Sequence, residues 1–125
     1  MKSSSNISEQ EKFWKGNFGD EYIRRDKLDS VASNTSFFSE IIGRTDCIKS
    51  VLELGCNIGN NLKAMKNIIP EAEMQGVEIN SKAVEILKKE NNFDVIESSI
   101  QDYSSNKTFD LVFTKTVLIH IKPED

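Results

Sequence analysis

Between Ser50 and Asn61 the chain reads SVLELGCNIGNN. Strand-like residues through Leu54 run into Gly55, three residues pass, and Gly59 precedes a helical pattern. A glycine at such a handover lets the backbone turn sharply and come close to a ligand, because no Cβ stands in the way. The alternation continues on both sides of this turn. CIKSVLEL predicts a strand, and NNLKAMKNII predicts a helix with Leu62, Met65, Ile68 and Ile69 on one face, ended by Pro70. EMQGVEI predicts a second strand, and Asn80 caps a helix over SKAVEILKKEN in which Ala83, Val84 and Leu87 share a face. FDVIESSI and FDLVFTKTVLIHI supply a third and a fourth strand. This order implies an α/β fold with a doubly wound, mainly parallel sheet and right-handed crossovers. Ligands of such sheets bind outside the carboxyl ends of the strands, where the glycine turn lies.

The amino-terminal part reads differently. SEQEKFWKGNFGDEY predicts a short helix, a glycine break and a second short segment, dense in aromatics at Phe13, Trp14, Phe18 and Tyr22. SNTSFFSEIIGR predicts an amphipathic helix with Phe37, Phe38, Ile41 and Ile42 as its stripe, capped by Ser33 or Asn34 and stopped by Gly43. The net charge of −4 disfavours a nucleic-acid partner, which calls for a basic face. The apolar runs are too short to cross a bilayer, so no membrane partner is expected. MKSSSNISEQEK lacks the apolar core of a secretory signal. Cys47 and Cys56 form no disulfide framework and read as reduced thiols of a cytoplasmic protein. With a single histidine, a His/Cys zinc site is not expected, and no metal is assigned.

The ligand class narrows by comparing spacings. A dinucleotide fingerprint would need glycines where Asn57 and Asn60 stand, and no Lys-Ser or Lys-Thr follows Gly59 as a phosphate loop requires. Glu78 closes the second strand in GVEIN, roughly twenty residues after the glycine turn, the spacing at which a carboxylate meets a ribose in doubly wound sheets. There it can accept charge-assisted hydrogen bonds from two vicinal hydroxyls. Each feature also has a plainer reading. The glycines can serve a tight turn and helix–sheet packing, and Glu78 can be an ordinary solvated carboxylate at the end of a strand. Taken together they point to a nucleoside-type ligand.

VLELGCNIGNNL followed by MQGVEINSKAVEIL resembles the core of class I S-adenosylmethionine-dependent methyltransferases. Glu53, Leu54, Gly55 and Gly59 match the family's first-strand motif, and Glu78 matches its second-strand carboxylate. FDVIESSIQDY resembles the third-strand segment beside the adenine. It departs from the family by carrying Ser99 and Ile100 where Asp and a small residue are usual, which shifts the contact toward Gln101 or Asp102. FDLVFTKTVLIHIKPED resembles the fourth strand and the loop that faces the methyl group. The resemblance covers residues 46–125 and implies a Rossmann-like methyltransferase fold, with S-adenosyl-L-methionine as cofactor and S-adenosyl-L-homocysteine as product. It implies cofactor contacts at Glu53, Gly55, Cys56, Asn57 and Gly59, at Glu78 and Ile79, at Ser99, Ile100 and Gln101, and at Thr114. His120 is the candidate base for a small-molecule acceptor, with Lys115 and Thr116 as further acceptor contacts, while Asp110 only begins the fourth strand.

FWKGNFGDEYIRRD resembles the segment before the core in methylases associated with pseudaminic-acid and related surface-sugar biosynthesis, which implies a sugar or sugar-nucleotide acceptor. On this reading residues 1–45 form a helical cap whose Trp14 and Tyr22 cover the cofactor, with Arg24 and Arg25 nearby, and residues 46–125 form the cofactor-binding half. The family's sheet carries further strands, so a domain truncated after about the fourth strand is expected. Leu111, Val112 and Phe113 would then lose their neighbours and offer an edge for a homodimer. Such a chain binds cofactor without necessarily turning over. The alternatives are a catalytically inactive binding or self-association module, and a nucleotide-dependent oxidoreductase with an atypical glycine turn.

Overall fold

The computed structural model describes residues 7–26, 30–90 and 93–124. The side chains of Arg24 and Arg25 lie outside the described residues. Two short helices, α1 (Glu9–Lys15) and α2 (Asn17–Asp26), precede a longer α3 (Val31–Ile42). Then come β1 (Ser50–Leu54), α4 (Asn60–Ile68), β2 (Glu73–Glu78), α5 (Ser81–Glu90), β3 (Asp94–Glu97) and β4 (Leu111–Phe113), with a 3-10 turn at Leu118–His120. The strands form one parallel sheet in the order β3-β2-β1-β4. Strand order therefore reverses between β1 and β4, and a crevice opens beyond their carboxyl ends. This is the Rossmann-like arrangement expected from the alternation.

The apolar stripes account for the packing. Val51, Leu62, Met65 and Leu87 are fully buried, and α4 and α5 turn Leu62, Met65, Ala83, Val84 and Leu87 inward. Phe38 of α3 joins the same core, so α3 lies against α4 and the sheet. Capping is observed at Asn80, whose Oδ1 accepts the Ala83 N–H at 3.0 Å. At the opposite end of the sheet, Asp110 Oδ2 accepts the Lys49 N–H and the Asp110 N–H donates to Ser50 Oγ, which fastens the start of β4 to β1.

Two expectations need correction. Neither Ser33 nor Asn34 caps α3, which already begins at Val31. Ser33 Oγ bonds back to the Ser30 carbonyl, while the Asn34 amide donates to Asn61 Oδ1 at 3.0 Å. Packing on α4 carries the polar stretch into the helix. At the edge strand, which pairs only with β1 among the described residues, Leu111 and Phe113 keep core neighbours on one face. Both face the core, and the Phe113 ring lies 5.3 Å from that of Phe38. Only Val112 points away, at 51% exposure. The period of two along a strand divides the three residues between the two faces. None of the described helices is long and apolar enough to cross a membrane.

Leu62→Ala should lower the unfolding free energy by about 2–5 kcal/mol, because the side chain is fully enclosed between α4 and the sheet. Urea denaturation followed by circular dichroism checks this; a change below about 1 kcal/mol would place Leu62 outside the tight core.

Candidate functional site

The turn after β1 is built from residues in the left-handed region: Gly55 (φ 78°), Asn57 (φ 49°) and Gly59 (φ 81°). Asparagine tolerates this region better than other non-glycine residues. The Gly55 and Cys56 N–H groups both donate to the Val77 carbonyl, at 2.7 and 3.0 Å, which ties the turn to β2. A Cβ on Gly55 would sit 2.5 Å from Val117 Cγ2, so the segment after β4 closes tightly over the turn. Its three asparagines do separate work. Asn57 takes the left-handed position, the Asn60 amide donates to Ser30 Oγ at 3.2 Å, and the Asn61 amide donates to Glu53 Oε2 at 2.7 Å.

Glu78 is the centre of the arrangement. It is not a solvated residue at a strand end but 8% exposed. One carboxylate oxygen accepts the Asn57 N–H at 2.8 Å, and the other accepts the Asn80 N–H at 2.7 Å. The turns after β1 and after β2 are thus held by one carboxylate. Burial pushes its pKa up, and hydrogen bonds from the Asn80, Asn57 and Ile79 N–H groups oppose the rise without cancelling it. An ionised carboxylate offers about four acceptor positions, so this one retains capacity for a ligand hydroxyl.

A cavity of about 320 Å³ opens beside Glu78, within the size range of small-ligand pockets. Its floor is Gly55, Cys56 and Asn57; Glu78 and Ile79 form one wall and Ser99, Ile100 and Gln101 another. Lys115, Thr116 and His120 enter from the segment after β4, and Trp14 and Tyr22 lie across the top. The Trp14 ring sits 5.2 Å from those of Phe18 and Tyr22 and 4.7 Å from that of His120. The two ends of the described chain therefore meet over the cavity. Lys115 Nζ stands 5.7 Å from the Phe37 ring centroid, and Ser99 Oγ accepts the Asp102 N–H at 3.1 Å, leaving its own proton free to be donated.

Four of the residues named in the sequence, Glu53, Gly59, Asp102 and Thr114, are not on the cavity wall. Glu53 is 1% exposed and lies beneath the wall, where its Oε2 accepts the Asn61 amide. At Gly59, also off the wall, a Cβ would sit 2.5 Å from Leu87 Cδ1, so the start of α4 lies close against this side chain of α5. Thr114 is also off the wall, and its Oγ1 is buried with no hydrogen-bond partner among the described residues. Conversely, Gln10, Glu11, Asn61 and Asn80 line the cavity although only Asn80 had been singled out, and only as a cap. Gln10 Oε1 is buried without a partner among the described residues. A signal for Glu11 was present: Ser8 and Glu11 form a capping box that begins α1. Cys56 is buried beside Glu53 and Glu78, and desolvation first, then their charges, push its thiol pKa well up and disfavour the thiolate. Among the described residues no cluster of His, Cys, Asp or Glu suits a metal ion.

A family model described as a methyltransferase domain matches residues 51–125. No curated protein gives a match. Among solved structures, the plantazolicin methyltransferase BpumL in complex with SAH gives a TM-score of 0.64 at 21% identity, covering 84% of this chain and 44% of its own. A sugar N-methyltransferase from Streptoalloteichus sp gives 0.63 at 20% identity, covering 81% and 40%. A SAM-bound amino pentose methyltransferase from Micromonospora echinaspora gives 0.61 at 18% identity, covering 78% and 41%. At such identities the likeness is one of fold. The chain spans less than half the length of these structures.

The raised pKa of Glu78 has a consequence for stability. A carboxyl whose folded-state pKa lies above its ordinary 4.5 favours the fold when protonated, and that contribution is lost as pH rises through the raised value. Unfolding free energies of wild type and Glu78→Gln, measured from pH 4 to 7, should therefore converge on the variant's disadvantage at low pH and favour the variant progressively more as pH rises. A difference that runs the other way would mean that the N–H donors outweigh desolvation.

Proposed function

This chain belongs to the methyltransferase-domain family, and on that premise we propose that its cavity binds S-adenosylmethionine and directs methyl transfer to a small-molecule acceptor. The observation that carries the reading is the buried Glu78 carboxylate, held by the N–H groups of two strand-end turns and facing a cavity of small-ligand size. The lining suits the cofactor's parts. Glu78 has acceptor capacity for ribose hydroxyls, Ile79 and Ile100 offer apolar surface to a flat base, and Gln101 and Ser99 offer polar groups at its edge. The turn at Gly55–Asn57 admits close backbone approach, and the buried Gln10 Oε1 suits a donor such as an ammonium group. The cofactor supplies, when bound, a methyl group on an electrophilic sulfonium.

The protein's own task is then to position and to exclude water. Trp14 and Tyr22 cover the cavity with aromatic surface, in keeping with residues 1–45 acting as a cap and residues 46–125 as the cofactor-binding half. His120 stands at the wall in contact with Trp14, where an imidazole can take a proton from an acceptor hydroxyl or amine. Lys115 and Thr116 are further acceptor contacts. For the acceptor we favour a sugar or sugar nucleotide of surface-glycan biosynthesis. The FWKGNFGDEYIRRD segment supports this, as do the sugar and amino-pentose methyltransferases that share the fold. A cytoplasmic location fits the two free cysteines, one exposed and one buried. Pairing of two copies along the open edge of β4 is a proposal about assembly that the exposed Val112 supports.

Calorimetric titration with S-adenosylhomocysteine tests the reading. The wild-type chain should bind, Gly55→Val should lose binding through backbone strain and a clash with Val117, and Glu78→Gln should bind more weakly by about 1.5–3 kcal/mol. A folded Glu78→Gln variant with wild-type affinity would remove Glu78 from the site.

A further inference from the structure

Asn80 does more than a helix cap requires. The cap needs one acceptor, Oδ1, which takes the Ala83 N–H. Asp or Ser would serve as well. The other end of the side chain faces the amino-terminal helices. Its Nδ2 donates to the Trp14 carbonyl at 3.0 Å and to Asp20 Oδ1 at 2.9 Å, across 66 and 60 positions of sequence. Asp20 is held from the other side by Lys82 at 3.1 Å. The backbone N–H of Asn80 donates to Glu78 Oε2. Asn80 itself is 3% exposed, so its own amide has little access to water. At Gly19 a Cβ would stand 1.8 Å from the Trp14 carbonyl oxygen and 2.8 Å from Asn80 Nδ2, so the α1–α2 turn closes on Asn80 only because residue 19 is glycine. Below it, Ile23 of α2 packs with Ile58 and Ala83.

We propose that Asn80 is a positioning residue that latches the α1–α2 cover onto the cavity floor, fixing the cover and the Glu78 carboxylate together. Asparagine is the residue that fits, because the position needs an acceptor toward α5 and two donors toward the cover. Losing the amide frees the Trp14 carbonyl and Asp20 while leaving the cap available. The cover then loosens, and a ligand beneath it is held less well. The ligand part of this rests on the proposed cofactor site; the latch itself does not.

Trp14 is the only tryptophan, so its fluorescence reports the cover directly. In Asn80→Asp the cap oxygen is kept, but an acceptor replaces the donor facing Trp14 and Asp20. Emission of the ligand-free full chain should move to longer wavelength and acrylamide quenching should rise, with helix content unchanged. Affinity for S-adenosylhomocysteine should fall about tenfold or more, as expected for losing hydrogen bonds that involve a charged partner. Asn80→Ser, which keeps the cap without adding charge, should change both in the same direction and decides the matter if the Asp variant fails to fold. Unchanged Trp14 emission and quenching in a folded variant would reduce Asn80 to a cap and overturn the latch. A spectral change with undiminished affinity would overturn its positioning role. If the wild-type chain binds no S-adenosylhomocysteine, the cofactor site fails on its own account, and the ligand-free fluorescence still decides the latch.

Discussion

One carboxylate, that of Glu78, accepts an N–H from the turn after β1 and another from the turn after β2. Burying an ionised group costs several kcal/mol unless polar partners replace its water. Here the partners are backbone groups of the two turns that form the cavity floor, so holding the charge and shaping the site are the same act. Desolvation still prevails, as the raised pKa shows, which leaves the unliganded fold with a cost at neutral pH. A ligand that brings hydroxyls to the free acceptor positions offsets part of it, and any ligand that binds only the folded state adds stability by mass action.

The rest of the fold holds this carboxylate in place. Parallel strands β1 and β2 end side by side, with Leu54 opposite Val77, so their turns emerge together. The Val77 carbonyl takes two N–H groups from the first turn and fixes its path. Beneath them, Glu53, Asn61 and Asn34 form a polar chain that ties β1, α4 and α3. Above them, the cover rests on Asn80 at one side and touches His120 at the other. Strand order reverses next to β1, so the segment after β4 reaches the same cavity from the opposite side.

Much of this was legible in the residues because the signals are local. Alternation of strand and helix patterns gave the parallel sheet, apolar spacing gave the buried faces of α4 and α5, and the Gly55–Glu78 spacing pointed to the pair of strand ends. What was not legible depends on contacts distant in sequence. Glu53 matches a motif, yet the strand's period of two turns it toward α4 and away from the cavity. Gly59 matches the same motif but answers to Leu87. Ser33 and Asn34 look like caps, and packing on α4 draws them into α3. Asn80 was readable as a cap, whereas its donors find their partners in α1 and α2, where no local rule looks. The contact of Phe113 with Phe38 joins β4 to α3 across a long stretch of chain, which no local pattern in LVF announces.

The central claim is that the buried Glu78 carboxylate is the fixed point of a nucleoside-binding site. A crystal structure of the chain with S-adenosylhomocysteine tests it most directly. The ribose hydroxyls should lie within hydrogen-bonding distance of the Glu78 carboxylate, with the Asn57 and Asn80 N–H bonds to it retained. A ribose seated elsewhere, or a Glu78 carboxylate that makes only backbone contacts while the ligand is bound, would overturn this reading.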